Sequence, residues 1–154
     1  MEHGITYTLK PTDLDFRAAT ASDLNLTYAI KTKSIKPYVA SIWGWDNDFQ
    51  YQYHTECFNP LNTQIICYKT EAIGFFNLIE AETFFIIENL LISEDFQGLG
   101  IGEFVMNRIL SEAIKDKKSV RLQVFKINTK ALQFYKRFGF KSISTSEHHI
   151  LMEK

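Results

Sequence analysis

The sequence predicts an α/β domain built on one mixed, mostly antiparallel sheet. Three observations carry that prediction. The elements read in the order strand, two helices, three meandering strands, helix, strand, helix, two strands, which is an alternation that needs a sheet with helices packed on it. The run Phe84 to Ile92 is long and almost wholly apolar, as suits a central strand buried on both faces. A glycine-rich turn, Gln97 to Gly102, opens directly into an amphipathic helix. With 154 residues, no internal repeat and no Pro/Gly/Ser-rich linker, the chain reads as a single domain spanning residues 1–154.

Taken in order, Leu14 to Ala18 alternates and reads as a short first strand. Thr20 to Asp23 supplies small capping residues before Leu24, Tyr28 and Ile30, so a helix starts there. A second helical stretch follows Pro37, from Tyr38 to Phe58, with Gly44 bending or interrupting it. The three prolines, Pro11, Pro37 and Pro60, read as punctuation between elements. Thr63 to Tyr68, Ala72 to Leu78 and Thr83 to Ile92 are strand-like, with turns marked by Lys69-Thr70, Gly74 and Glu80-Ala81. Phe104, Val105, Ile109, Leu110, Ala113 and Ile114 give the helix after the glycine turn its apolar stripe. Ser119 to Val124 alternates as a strand, Asn128 caps a helix running to Phe138, and Phe140 to Ser144 with His148 to Met152 form a closing hairpin.

Composition narrows the function. Apolar residues at 45% and charged residues at 23% are ordinary for a folded soluble protein. Lys plus Arg number 17 against 18 Asp plus Glu, a formal charge of -1, which speaks against a generally basic nucleic-acid wrapper. No stretch reaches the ~18 apolar residues of a membrane-spanning helix, and Met1 to Gly4 does not begin a secretory signal. Cys57 and Cys67 are too few for a disulfide framework and form no CxxC pair, so a cytoplasmic, reducing location is expected, with Cys67 a buried thiol. His148-His149 lacks a third ligand nearby, and no metal is expected.

The glycine turn is the informative segment. Gly98-Leu99-Gly100-Ile101-Gly102 places its third glycine one position too early for the dinucleotide fingerprint, and it follows about 90 residues of other structure rather than a first strand. No Gly-Lys-Ser/Thr follows, so the phosphate loop of nucleotide hydrolases is absent as well. What remains is a strand, a glycine turn and a helix N-terminus. Unpaired backbone N–H groups and the helix dipole there make an anion site, and glycines let a diphosphate come close. A tight strand-to-helix turn with no ligand is the plain competitor.

These residues resemble a family. Gln97-x-x-Gly100-x-Gly102 is similar to the Gln/Arg-x-x-Gly-x-Gly/Ala block of the GNAT superfamily of N-acetyltransferases. Asn128-x-x-Ala131-x-x-x-Tyr135-x-x-x-Gly139-Phe140 resembles that family's second block, in the right order downstream. The resemblance covers the element order from Thr12 to the C-terminus and is sharp from Glu88 to Phe140. It implies the GNAT-like fold, its sheet splayed at the cofactor site and flanked by about four helices, with acetyl-coenzyme A as co-substrate. Carried over, Gln97, Gly98, Leu99, Gly100, Ile101 and Gly102 would bind the pyrophosphate. The backbone of Leu90, Leu91 and Ile92 would pair with the pantetheine amides like an added strand, and the Ile92 N–H region would polarise the thioester oxygen. Asn128 and Ala131, at the start of the last helix, would meet the cofactor arm, with a plain N-cap as Asn128's other reading.

The same resemblance implies that Tyr135 protonates the departing thiolate as general acid; a core tyrosine beside Phe134 and Phe138 is the competing reading. Attack needs a neutral amine, so a base or a water path must remove a proton, and Glu88 is the candidate base. Period-two alternation places it on the strand face of Leu90 and Ile92, and a carboxylate in an apolar strand must serve or be paired. A buried salt bridge is the alternative. For the acceptor, Trp43, Trp45 and Asp46 offer aromatic faces and a carboxylate to a cationic amine, against a reading in which the tryptophans cap the core edge; His54 and Glu56 are also candidates. The expected function is acetyl transfer from acetyl-coenzyme A to a primary amine of a small molecule or peptide, by direct attack in a ternary complex. The alternative is a non-catalytic acyl-coenzyme A sensor of the same fold. No nucleic-acid or membrane partner is expected, and a homodimer through the C-terminal strands is left open.

Overall fold

The computed structural model describes residues 10–154. Seven strands form one open sheet: β1 (Leu14–Ala18), β2 (Thr63–Tyr68), β3 (Glu71–Glu80), β4 (Phe84–Ile92), β5 (Ser119–Phe125), β6 (Lys141–Thr145) and β7 (His149–Glu153). Their spatial order is β1-β2-β3-β4-β5-β7-β6. Every neighbouring pair is antiparallel except β4 and β5, which run parallel. That one parallel step is made by α3 (Ile101–Lys115), because parallel neighbours need a crossover. The remaining helices are α1 (Leu24–Trp43), α2 (Asn47–Cys57) and α4 (Thr129–Arg137). The expected α/β class and mixed, mostly antiparallel sheet with four helices are what the chain builds.

Two apolar cores lie on opposite faces of the sheet. Ile66, Phe76, Ile87, Val120 and Leu122 pack with Val105, Met106 and Ile109 of α3, and Ala131, Phe134 and Tyr135 of α4 rest on the same cluster. Ile65, Phe75 and Leu91 pack instead with Leu26 and Ile30 of α1. Adjacent residues such as Phe75 and Phe76 therefore feed different cores, as the two-residue pleat requires. Each fully buried Phe, Ile or Leu contributes about 1.5–3 kcal/mol.

Pro37 does not separate two helices. It lies inside α1, which runs unbroken from Leu24 to Trp43. An interior proline costs on the order of 3 kcal/mol, and the helix continues because it is anchored on both sides of Pro37, by buried Thr27 and Ile30 before it and Val39 after it. The break comes at Gly44, whose φ of 79° suits glycine, and α2 starts three residues later. Gly74 is not a turn residue either. It sits within β3, where a Cβ would collide with the Leu91 carbonyl oxygen of β4. Among the described residues, no helix is long and apolar enough to cross a membrane.

Candidate active site

The sheet opens where β4 and β5 part. Their pairing covers only Phe84 to Ile87 against Ser119 to Leu122. Beyond that point β4 runs on for five residues, Glu88 to Ile92, still paired with β3 on its other edge. Backbone groups of Leu90, Leu91 and Ile92 on the β5 side thus have no strand partner. This is the splay that an inserted, amide-bearing arm needs.

A β-bulge accompanies the opening. Asn77 pairs with Asn89 and Leu78 with Ile87, so Glu88 is the extra residue. The bulge is pinned by amides: Asn89 Nδ2 donates to Asn77 Oδ1 at 2.8 Å, and Asn77 Nδ2 donates to Thr63 Oγ1 at 2.5 Å. It also reverses the alternation. Leu90 and Ile92 pack in the α3 core with Phe85 and Ile87, whereas Glu88 lines a cleft beneath α1 and α2 with Phe84 and Ile86. The expectation that Glu88 shares a face with Leu90 and Ile92 is therefore corrected: one inserted residue flips the register. Glu88 is exposed to that cleft and enters none of the ion pairs among the described residues.

The glycine turn sits just past the end of β4. Gly98 and Gly100 have φ of 75° and 84°, a region L-residues avoid, so both positions need glycine. Gly100 is the N-cap of α3, and no side chain caps that end. The ladder begins with Phe104 N–H donating to Gly100 C=O at 3.0 Å, which places the N–H groups of Ile101, Gly102 and Glu103 ahead of it. A Cβ on Gly102 would stand 3.5 Å from the Phe134 ring, ordinary contact, so alanine also fits there. Gln97 Nε2 donates to the Ile92 carbonyl at 2.8 Å and ties the turn to the strand end. These donors suit a diphosphate, and the parted strands suit its arm.

Across the opening, Asn128 caps α4. Its Oδ1 accepts from Ala131 N–H at 3.1 Å and from the Tyr38 hydroxyl at 3.1 Å. Tyr38 of α1 also stacks on Phe125, with ring centroids 6.0 Å apart. Tyr135, one turn past Ala131, is half-buried against Phe134 and Phe140. Burial pushes its phenol up to about 12, so the proton stays on oxygen at any physiological pH. Tyr135 belongs to the α3–α4 side of the sheet and Glu88 to the α1–α2 side. The β4–β5 opening is where the two sides meet.

The cleft under α1 and α2 has a volume of about 840 Å³. Lys31, Ile35, Val39 and Trp43 line it from α1 at every fourth residue, one face of the helix. Tyr53, His54 and Cys57 line it from α2, and Arg121, Phe125 and His149 from the far strands. Of the acceptor residues expected, Trp43 reaches the cleft wall, where it packs against Phe125, His148 and His149. Trp45 and Asp46 are held elsewhere: Asp46 Oδ1 caps α2 by accepting Phe49 N–H at 2.9 Å, and Trp45 donates to Asn47 Oδ1 at 2.7 Å while Lys36 lies over its ring. His54 reaches the cleft, whereas Glu56 pairs with Gln52. Lys31 and Tyr38 went unseen in the sequence. The fourfold stripe through Lys31 points at the cleft, yet it shows only when α1 is read through Pro37.

A single open sheet, parted between its two parallel strands beside a glycine-capped helix, is the GNAT fold. An N-acetyltransferase (PaiA) from Thermoplasma acidophilum, solved in complex with coenzyme A, is similar over 92% of this chain and 98% of its own, with a TM-score of 0.75 and 18% identity. Arabidopsis thaliana Naa50, solved with the bisubstrate analogue CoA-Ac-MVNAL, covers 92% of this chain and 98% of its own at 0.62 and 17%. The ribosomal-protein-S18-alanine N-acetyltransferase from Escherichia coli covers 91% and 92% at 0.67 and 16%. The sequence profile of the acetyltransferase (GNAT) family matches residues 27–140. The chain belongs to that family, and acetyl-coenzyme A is the co-substrate that family and site fit.

Proposed function

We propose that this protein is an N-acetyltransferase that moves an acetyl group from acetyl-coenzyme A to the primary amine of an acceptor held in the α1–α2 cleft, by direct attack in a ternary complex. The observation that carries the reading is the parting of β4 and β5 at Ile87 and Leu122, with the glycine turn at one end and the cleft carboxylate Glu88 at the other. The two free cysteines suit a reducing compartment such as the cytoplasm.

The co-substrate supplies an activated acetyl thioester; the chain's own groups do the rest. Backbone N–H groups from Gly98 to Gly102 hold the diphosphate. The free edge of Leu90 to Ile92 and the Asn128 amide orient the arm, with Ala131 beneath it. Glu88 takes the proton that the arriving ammonium must lose before it can attack. Tyr135 donates toward the leaving sulfur. With a phenol near 12 facing a thiol that titrates near 8.5, Tyr135 acts first as a hydrogen-bond donor to the developing thiolate.

Thiol release with acetyl-coenzyme A and a panel of amines, amino acids and peptides tests the reading. Tyr135→Phe should lower kcat by roughly 10²-fold and leave the KM for acetyl-coenzyme A within about twofold. Glu88→Gln should lower kcat by roughly 10²-fold. Turnover untouched by either change would dismiss that residue's role, whereas no thiol release with any amine would leave a binding module of the same fold as the better reading.

A further inference from the structure

The cleft holds an unusual set of charges. Arg121 is already satisfied: its Nε donates to Glu153 at 2.5 Å, and its guanidinium lies over Phe84. His54 is buried, bonded to Thr27 and held neutral, with its titration lowered to about 4. Burial and the neighbouring His148 lower His149 as well. Two charges remain, one of each sign. Lys31 projects from α1 and Glu88 from the bulge, and neither forms an ion pair or a side-chain hydrogen bond among the described residues. They do not pair with each other, although both face the same space.

Lys31 is the more telling of the two. Its side chain is half-buried, its Nζ lies 5.7 Å from the Tyr53 ring centroid, and Cys57, Glu88 and the neutral His54 are the other titratable groups near it. Desolvation lowers its pKa, the sign of a cation held in a site that does not fully solvate it. A lysine that served solubility alone would extend into water. Glu88 is placed for the amine, so a second cationic group on the acceptor would be driven onto Lys31 and repelled, whereas an anionic group would be drawn to it.

We propose that the acceptor is a small amino carboxylate whose carboxylate is received by Lys31 while its amine faces Glu88. This rests on the acetyltransferase reading and narrows it: simple polyamines are disfavoured, and amphoteric amines with an apolar body are favoured. A cleft of about 840 Å³ walled by Trp43, Tyr53, Phe84 and Phe125 has the size of a small-molecule site.

The test uses pairs that differ only in the carboxylate: phenylalanine with 2-phenylethylamine, leucine with 3-methylbutylamine, and 4-aminobutyrate with propylamine. Thiol release gives kcat/KM, and calorimetry on the protein saturated with coenzyme A gives Kd. At least one carboxylate member should exceed its partner tenfold or more. Lys31→Met, which keeps the apolar stem, should erase that preference, read as the ratio of kcat/KM within each pair. Lys31→Arg should retain it, and Lys31→Glu should turn selectivity toward 1,4-diaminobutane. Plain amines matching or exceeding their carboxylate partners in all three pairs would overturn the proposal, as would a preference that survives Lys31→Met. A peptide such as Ala-Glu-Ala amide outrunning every free amino acid would overturn it too. No thiol release with any amine would count against the acetyltransferase reading alone, since the calorimetric comparison still reports whether Lys31 selects a carboxylate.

Discussion

Asn128 carries two hydrogen bonds on one oxygen, and that settles which way its amide faces. With Oδ1 accepting from both Ala131 N–H and the Tyr38 hydroxyl, the Nδ2 group is left to donate. Tyr38 is thus a positioning residue: it stands on the helix that walls the acceptor cleft, yet orients a group of the cofactor side. Tyr38→Phe should raise the KM for acetyl-coenzyme A by about fivefold, the worth of one hydrogen bond near 1 kcal/mol. The acceptor KM should move little and the melting temperature by no more than a few degrees. Steady-state kinetics with each substrate varied in turn checks this, and an unchanged cofactor KM would dismiss the role. Asn128 was legible in the sequence because capping is local. Tyr38 was not, because the pair spans 90 residues and only the packing of α1 on β5 brings it together.

At the level of elements, hydrophobic alternation sufficed to place the strands: Leu14–Ala18 and Thr63–Tyr68 have the expected bounds. It could not place the bulge at Glu88, since a bulge is a property of two strands and their register. The break expected at Pro37 failed for a related reason: local preference lost to burial on either side of it. Gly74 shows how such long-range demands can be tested. It faces the β4 backbone at Leu91, which cannot retreat without breaking the β3–β4 ladder that holds the cofactor edge in place. Gly74→Ala should cost about 2 kcal/mol or more and raise the KM for acetyl-coenzyme A. Thermal unfolding and cofactor titration check the two effects together; a variant with wild-type stability would mean the strands shift at no cost.

For the molecule as a whole, the same cleft couples stability to pH. His54 is wedged between α1 and α2, with Tyr28 and Phe58 against its ring. The Thr27 hydroxyl has one hydrogen and lies 2.9 Å from the Asp23 carbonyl and 3.0 Å from that of Leu24. His54 Nε2, 2.9 Å from that oxygen, therefore donates to it, and the ring can stay neutral. Burial and then the nearby Lys31 lower its titration from 6.5 to about 4. A lowered value means that the unfolded chain takes the proton first. His54 thus contributes its full stabilisation above the unfolded value, and that contribution is lost as pH falls from about 6.5 toward 4. The loss should be on the order of 1–2 kcal/mol near pH 5.5 and 2–3 kcal/mol near pH 4.5, a large part of a typical 5–15 kcal/mol. Asp23 follows at lower pH. Its hydrogen bonds from Arg17, 2.8 Å to each oxygen, hold it at about 2, so its share is lost from about 3.8 downward. Urea unfolding at pH 7.5, 5.5 and 4.5 should show the wild-type midpoint falling across this range. His54→Gln, which keeps a donor toward Thr27 but cannot titrate, should start less stable and fall less steeply. Parallel curves for the two proteins would mean that the protonation which loosens the α1–α2 wall lies elsewhere.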